Sequence, residues 1–239
     1  ISGHSVLVKQ SSNDKHLLSF LAKYLEYVEP EFKETIEFTE EKLTNFDAVI
    51  ATGSNNTARY FEHYFKGKPN IIRKNRNSIA VLTGNESEEE LAELSNDVFQ
   101  YFGLGCRSVS KLFVPKDYNF DNFFKGMYNK QAIINNAKYA NNYDYNKTIY
   151  LMSEFDLLEN GFLMIKEDES FTSPIATVFY EYYSDINELK EELSSKKENI
   201  QCIVSNGFIN SEITFGQTQN PQLWDYADGI NTLEFLANI

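Results

Sequence analysis

The stretch Asp47-Ala48-Val49-Ile50-Ala51-Thr52-Gly53-Ser54-Asn55-Asn56 decides the fold. Its first six residues are mostly apolar and read as a buried strand. Gly53 to Asn56 is a turn of small polar residues, and apolar side chains return at helical spacing over 57–65. Strand, tight turn and helix in that order are the unit of α/β proteins. The order recurs on both sides. Upstream, Ser5-Val6-Leu7-Val8-Lys9 reads as a strand and Asn13-Asp14 as a helix start. Leu17, Leu18, Leu21, Tyr24, Leu25 and Val28 then share one helical face, and 35–38 alternates as a short strand. Downstream, strands are expected over 70–73, 78–82, 108–115, 148–152, 162–165, 175–183 and 200–204. Ser87 and Glu90 form a capping box that opens a helix running to Phe102. Further helices are expected over 120–137 and 186–197, with a loop over 141–147 and a turn at Glu159-Asn160-Gly161. The repeated β-α-β order gives an α/β class with a largely parallel sheet.

Composition bounds the function. The chain has 239 residues, 22 Lys plus Arg against 35 Asp plus Glu, and a formal net charge of -13. With 42% hydrophobic and 15% aromatic residues it is not a disordered chain. No apolar run reaches the ~18–20 residues that span a bilayer. The acidic balance argues against a nucleic-acid or anionic-membrane partner, both of which need a basic footprint. Two cysteines make neither a disulfide framework nor a CxxC zinc site, so a reducing, cytoplasmic location is expected. His4, His16 and His63 form no cluster and no GxSxG elbow is present, so neither a metal site nor a serine hydrolase is expected. The chain opens on Ile1 and enters a strand at once, with no leader, and is expected to be the surviving part of a longer protein.

Few residues point to chemistry. Cys106 follows a helix and a Gly103-Leu104-Gly105 link and precedes a strand, which places it at an end of the sheet. Arg107 beside it favours a thiolate, whereas the end of the preceding helix disfavours one. By residue type Cys106 is either a nucleophile or a small buried residue at a turn. Cys202, inside Gln201-Cys202-Ile203-Val204, reads as core. Gly53 and Ser54 suit a phosphate or ribose at a helix N-terminus, or are a plain turn. Neither GxGxxG nor a Walker sequence accompanies them. Lys66, Lys68, Arg73, Lys74 and Arg76 are a basic run that suits phosphates but more often is a solvated surface. Lys9, at a strand end, reaches either a ribose or solvent.

Taken in order, Val8-Lys9, Ala51-Thr52-Gly53-Ser54 and Gly103-Leu104-Gly105-Cys106 with Lys111-Leu112-Phe113-Val114 after it resemble the aldehyde dehydrogenase superfamily. Within it, Gly105-Cys106-Arg107-Ser108-Val109-Ser110-Lys111-Leu112-Phe113-Val114-Pro115 and the tail Phe215-Gly216-Gln217, Pro221, Leu223 and 224–230 look like the LuxC-type acyl-CoA reductases. The resemblance covers nearly the whole chain. It implies an aldehyde-dehydrogenase-like α/β fold: part of a cofactor-binding domain over 1–77, a catalytic domain over 78–214 and a tail over 215–239. It implies Cys106 as nucleophile, with Lys9 on the adenosine ribose and Gly53 and Ser54 over the cofactor phosphates. Glu169, in Glu169-Ser170-Phe171-Thr172-Ser173-Pro174, matches the ribose-binding Glu-x-Phe-Gly-Pro segment with one inserted residue.

Two departures carry information. Leu104 replaces the Gln common after the first glycine. Ile72 stands where aldehyde-oxidising members carry the Glu that activates water against the enzyme thioester. Its absence fits a reductase that takes acyl groups in as thioesters. The resemblance therefore implies reduction of an acyl-CoA or acyl-carrier thioester to an aldehyde by NADPH, with NADH the alternative donor. Expected partners are an acyl-transferring protein and further copies in a homo-oligomer. A short-chain CoA-acylating aldehyde dehydrogenase and a non-catalytic nucleotide-binding or assembly module stay open as other readings.

Overall fold

The computed structural model describes residues 2–12, 14–210 and 212–239. Ile1 and Asn13, read above as the opening residue and as part of a helix start, lie outside the described residues. Two compact units divide the chain. The first holds the residues up to Lys74 together with Tyr226–Ile239, and the second is Asn75–Asp225.

The first unit contains two β-α-β pieces. Strand β1 (Val6–Lys9) runs parallel to β2 (Ile36–Thr39), with helix α1 (Leu17–Val28) between them. Asp14 starts α1 as expected of its type, its carboxylate accepting from the His16 and Leu17 amides at 3.0 Å each. The expected apolar face of α1 is present but barely buried. Only Ala22 is covered, whereas Leu17, Leu21, Tyr24 and Val28 are 44–59% exposed. Strand β3 (Val49–Thr52) is parallel to β4 (Asn70–Arg73), joined through helix α2 (Asn55–Tyr64). Ser54 caps α2 by accepting from the Thr57 amide at 3.2 Å. A C-terminal helix, Thr232–Ala237, belongs to this unit: His4 bonds the Leu236 carbonyl at 2.7 Å, and Arg73 reaches Thr232 at 3.3 Å.

The second unit is a six-stranded sheet in the order β10-β5-β6-β9-β8-β7. Its elements in chain order are β5 (Asn77–Val81), α3 (Glu88–Phe99), β6 (Val109–Pro115), α4 (Phe120–Met127), α5 (Ala137–Met152), β7 (Leu157–Glu159), β8 (Met164–Glu167), β9 (Thr177–Tyr183), α6 (Ile186–Ser195) and β10 (Ile200–Val204). All neighbours are parallel except β7 and β8. Parallel sheets need both faces covered, and alternate residues do this. Ala80, Leu82, Leu112 and Val114 join one core with α3, α4 and α5. Ile79, Val81 and Phe113 join another with Leu189 and Leu193 of α6. Among the described residues no helix is long and apolar enough to cross a membrane.

Several local expectations are corrected. Residues 141–152, read as loop and strand, are the body of α5. Asn136 caps it through the Lys138 and Tyr139 amides. Tyr139, Tyr143 and Asn146 then bury at helical spacing, and Tyr139 donates to the Phe162 carbonyl and Asn146 to Ile175, each at 2.9 Å. These distant partners outweigh the weak β preference of the local residues. The helix expected over 120–137 stops as α4 at Met127 and tightens to 3₁₀ over Tyr128–Asn135. The short strand β7 had no counterpart in the sequence reading.

Candidate active site

Cys106 lies on the connection from α3 to β6, built by a break in the helix. The capping box of Ser87 and Glu90 starts α3 as expected, but α3 ends at Phe99 rather than Phe102. Tyr101, Phe102 and Gly103 follow with φ of 55°, 60° and 73°, all left-handed. Non-glycine residues there cost about 1–2 kcal/mol each, so surrounding contacts must hold them. A turn closed by the Ser108 amide on the Gly105 carbonyl at 2.9 Å then presents Cys106 to solvent. Cys106 is not in the last turn of α3.

Three side chains pin this turn. Ser78 of β5 donates to the Cys106 carbonyl at 3.0 Å. The Ser108 hydroxyl donates to the Gln100 carbonyl at 3.3 Å. Arg107 donates through Nε to the Thr218 carbonyl, so its guanidinium is anchored to the tail segment. Behind the turn, Cys202 is buried on β10. Burial pushes the Cys202 thiol up, and the nearby Arg107 charge offsets this only in part. Cys202 is a core residue, as its strand context suggested.

The turn stands at the amino ends of β5 and β6. Parallel α/β sheets hold ligands at carboxyl ends, so that rule gives Cys106 no support. Lys9, the last residue of β1, and Gly53-Ser54, just after β3, do stand at carboxyl ends. They sit on separate two-stranded sheets of the first unit. Lys9 is exposed. The Gly53 amide is used by the Arg73 carbonyl at 3.2 Å, and a Cβ on Gly53 would fall 2.9 Å from Thr57 Cγ2. Close packing against the Thr57 side chain of α2 is by itself a reason for a glycine here. Three residues of the basic run in the first unit are each engaged elsewhere. Lys74 pairs with Glu62 at 2.7 Å, Lys68 donates to the Phe46 carbonyl and lies over its ring, and Arg73 reaches Thr232.

Glu169 is exposed on the connection from β8 to β9, in the second unit with Cys106. Its segment is strapped to the sheet. Lys111, a side chain of β6 with 0% exposure, donates to the Asp168 carbonyl at 2.5 Å and pairs with Glu181. Burial pushes the Lys111 pKa down and Glu181 works against that. Ser110 donates to the Phe171 carbonyl at 2.6 Å, and Thr172 bonds Asn77, the neighbour of Ser78, at 2.7 Å. The 168–173 segment thus ends beside the strand that carries the Cys106 anchor.

Asp168 has a measurable signature. Burial pushes its carboxyl up, but the Lys166 ammonium at 2.5 Å and the Ser170 amide at 2.9 Å prevail and hold it at about 2. A depressed carboxyl binds fewer protons folded than unfolded. Its stabilisation is complete above its ordinary value of 3.8 and is lost as pH falls through about 2. Asp168→Asn is expected to lower the urea midpoint near pH ~6, with the gap closing towards pH ~2. An equal gap at both would refute this role.

Sequence reading missed Asp97. It sits on the buried face of α3, 1% exposed, and accepts from the Gly216 amide at 2.7 Å and the Thr218 amide at 3.0 Å. The available signal was an acid at helical spacing from Leu91 and Leu94.

No protein-family model matches the chain and no curated protein resembles it closely enough to match. Solved structures do match. An indole-3-acetaldehyde dehydrogenase of P. syringae, solved with NAD+, has a TM-score of 0.61 at 12% identity, over 85% of this chain and 50% of that one. Aldehyde dehydrogenase 21 of Physcomitrella patens, solved with succinate, has 0.62 at 14%, over 84% and 50%. An NAD-dependent aldehyde dehydrogenase of Sinorhizobium meliloti has 0.59 at 13%, over 90% and 51%. The chain spans about half the length of these structures. At such identities the likeness is one of fold, and the chain has the α/β fold of the aldehyde dehydrogenases over that half.

Proposed function

We infer that this chain belongs to a LuxC-type acyl-CoA reductase, with Cys106 as the nucleophile that takes the acyl group from a thioester. The observation that carries the reading is the exposed Cys106 thiol on a turn pinned by Ser78, Ser108 and Arg107. In this reading the thiolate adds to the thioester carbonyl, the C–S bond to coenzyme A or a carrier thiol breaks, and the expelled thiolate takes a proton from solvent. One hard displacement becomes two easier steps. The Cys106 amide serves as one oxyanion donor. By resemblance, Ile72 stands where aldehyde-oxidising relatives carry the water-activating Glu, which favours release as aldehyde over free acid.

A nicotinamide cofactor fits the residues present in one respect. Lys9 and the Ser54-capped end of α2 both stand at carboxyl ends of parallel strands, where such ligands are held. Lys9, Gly53, Ser54 and Glu169 are the residues proposed to hold it. When bound, a reduced nicotinamide, NADPH by resemblance, supplies the hydride that converts the thioester to an aldehyde. Cys106 then leaves as thiolate and is ready for another acyl group.

The protein is to be incubated with tetradecanoyl-CoA or acetyl-CoA, then with NADPH or NADH. An acyl adduct on Cys106 by mass spectrometry, and aldehyde formation faster with the long chain and NADPH, are expected. Faster turnover of acetyl-CoA would favour the short-chain acylating enzyme. No adduct, with Cys106 alkylated no faster than a free thiol, would favour the assembly module.

A further inference from the structure

Cys106, Arg107, Thr218 and Asp97 form one continuous connection within the second unit. Its inner end is a carboxylate almost fully removed from water. A buried carboxylate needs partners for both oxygens. Asp97 Oδ2 accepts from the Gly216 amide and Oδ1 from the Thr218 amide. Both amides belong to the tail segment, more than a hundred residues away in sequence. Gly216 makes the approach feasible: its φ is +78°, and a Cβ there would lie 2.4 Å from Glu93 Oε2, one helical turn before Asp97. The segment is thus fixed against α3 at two amides, two residues apart.

The outer end of the connection meets the nucleophile turn. With its amide held by Asp97, Thr218 points its carbonyl at the Arg107 Nε. Gln219 Nε2 lies 3.6 Å from where a Cβ on Gly105 would be. Arg107 adjoins Cys106. A hydrogen bond from a charged donor is among the stronger ones, so this contact sets where the turn can go. Burial pushes the Asp97 carboxyl up and Glu93 adds to this, while the two tail amides favour its charged form.

We propose that Asp97 is a positioning residue for the nucleophile, acting through the 216–218 segment and Arg107 to hold the Cys106 turn in its reactive placement. This rests on the reading of Cys106 as nucleophile. Asp97→Asn tests it with little change of shape. It replaces one acceptor oxygen by an NH₂ donor, so one tail amide faces a donor instead of an acceptor. Arg107→Gln breaks the same connection at its other end.

The test is single-turnover acylation by saturating tetradecanoyl-CoA, which separates rate constant from amplitude. A purely structural role lowers the amplitude, because less protein is folded, but not the rate constant of the folded molecules. Positioning lowers the rate constant, by about tenfold or more, because small misplacements of reacting groups are costly. A rate constant reduced in either variant by clearly more than its rate of Cys106 alkylation by iodoacetamide, which reads the thiolate alone, supports the proposal, and one that falls no further than alkylation does overturns it. If Asp97→Asn does not fold, Arg107→Gln gives the decision. An unchanged rate constant in the folded variants overturns the proposal while leaving the nucleophile reading intact. Absence of acylation in the unsubstituted protein overturns that reading, and the proposal with it.

Discussion

Cys106→Ala is expected to abolish acyl transfer to the protein, with no covalent adduct from tetradecanoyl-CoA and aldehyde formation reduced by at least about a thousandfold. No other described cysteine can substitute. Cys202 is 5% exposed on β10, and burial keeps its thiol protonated and away from substrate. Cys202→Ala is expected to retain the adduct, at a modest loss of stability from the small cavity. The pair makes the experiment self-controlled, because both substitutions remove one thiol and only one removes the exposed turn residue. Adduct formation that survives Cys106→Ala would remove the basis for assigning the nucleophile.

Gly126→Val is expected to be the most damaging single change to the second unit. Helices α3 and α4 touch at this residue. A Cβ on Gly126 would lie 2.4 Å from Leu91 Cβ and 2.7 Å from the Leu91 carbonyl carbon. Backbone atoms cannot rotate away as a side-chain tip can, so one helix must move. That movement would open the core in which Phe123, Met127 and Leu94 are wholly buried. Overpacking of this kind costs about 3 kcal/mol, and the better helix propensity of valine returns well under ~1. In a domain of this size that corresponds to a melting point about 10 °C lower. Gly126→Ala should fall in between. A valine variant that melts like the unsubstituted chain would show that the helices separate without loss.

The parallel strands of the second unit were readable, unlike the antiparallel edge strand β7, because a parallel sheet buries both faces and so writes short apolar runs into the sequence. Ile79, Ala80, Val81 and Leu82 serve two different cores, yet all four are apolar. Helix α5 was not readable for the opposite reason. Its buried contacts are polar groups of Tyr139 and Asn146 meeting carbonyls of Phe162 and Ile175, partners that no local window contains. The candidate site divides in the same way. The glycines around Cys106 mark a turn in any reading. The left-handed Tyr101 and Phe102 carry no sequence signature, since aromatic residues rarely adopt that conformation. Asp97 and Lys111 were visible only as charges in otherwise apolar patterns, and what such a charge meets is decided by the tertiary fold.

The composition of the first unit, from residues up to Lys74 and from Tyr226–Ile239, bears on how it forms during synthesis. Its closing contacts, such as His4 with Leu236 and Arg73 with Thr232, span 232 and 159 positions. The whole of 75–225 must leave the ribosome before they can be made. The second unit has its sheet and both cores within one uninterrupted stretch and can fold first. The entropy of closing so long a loop grows only logarithmically with length, so the delay is a matter of order more than of energy.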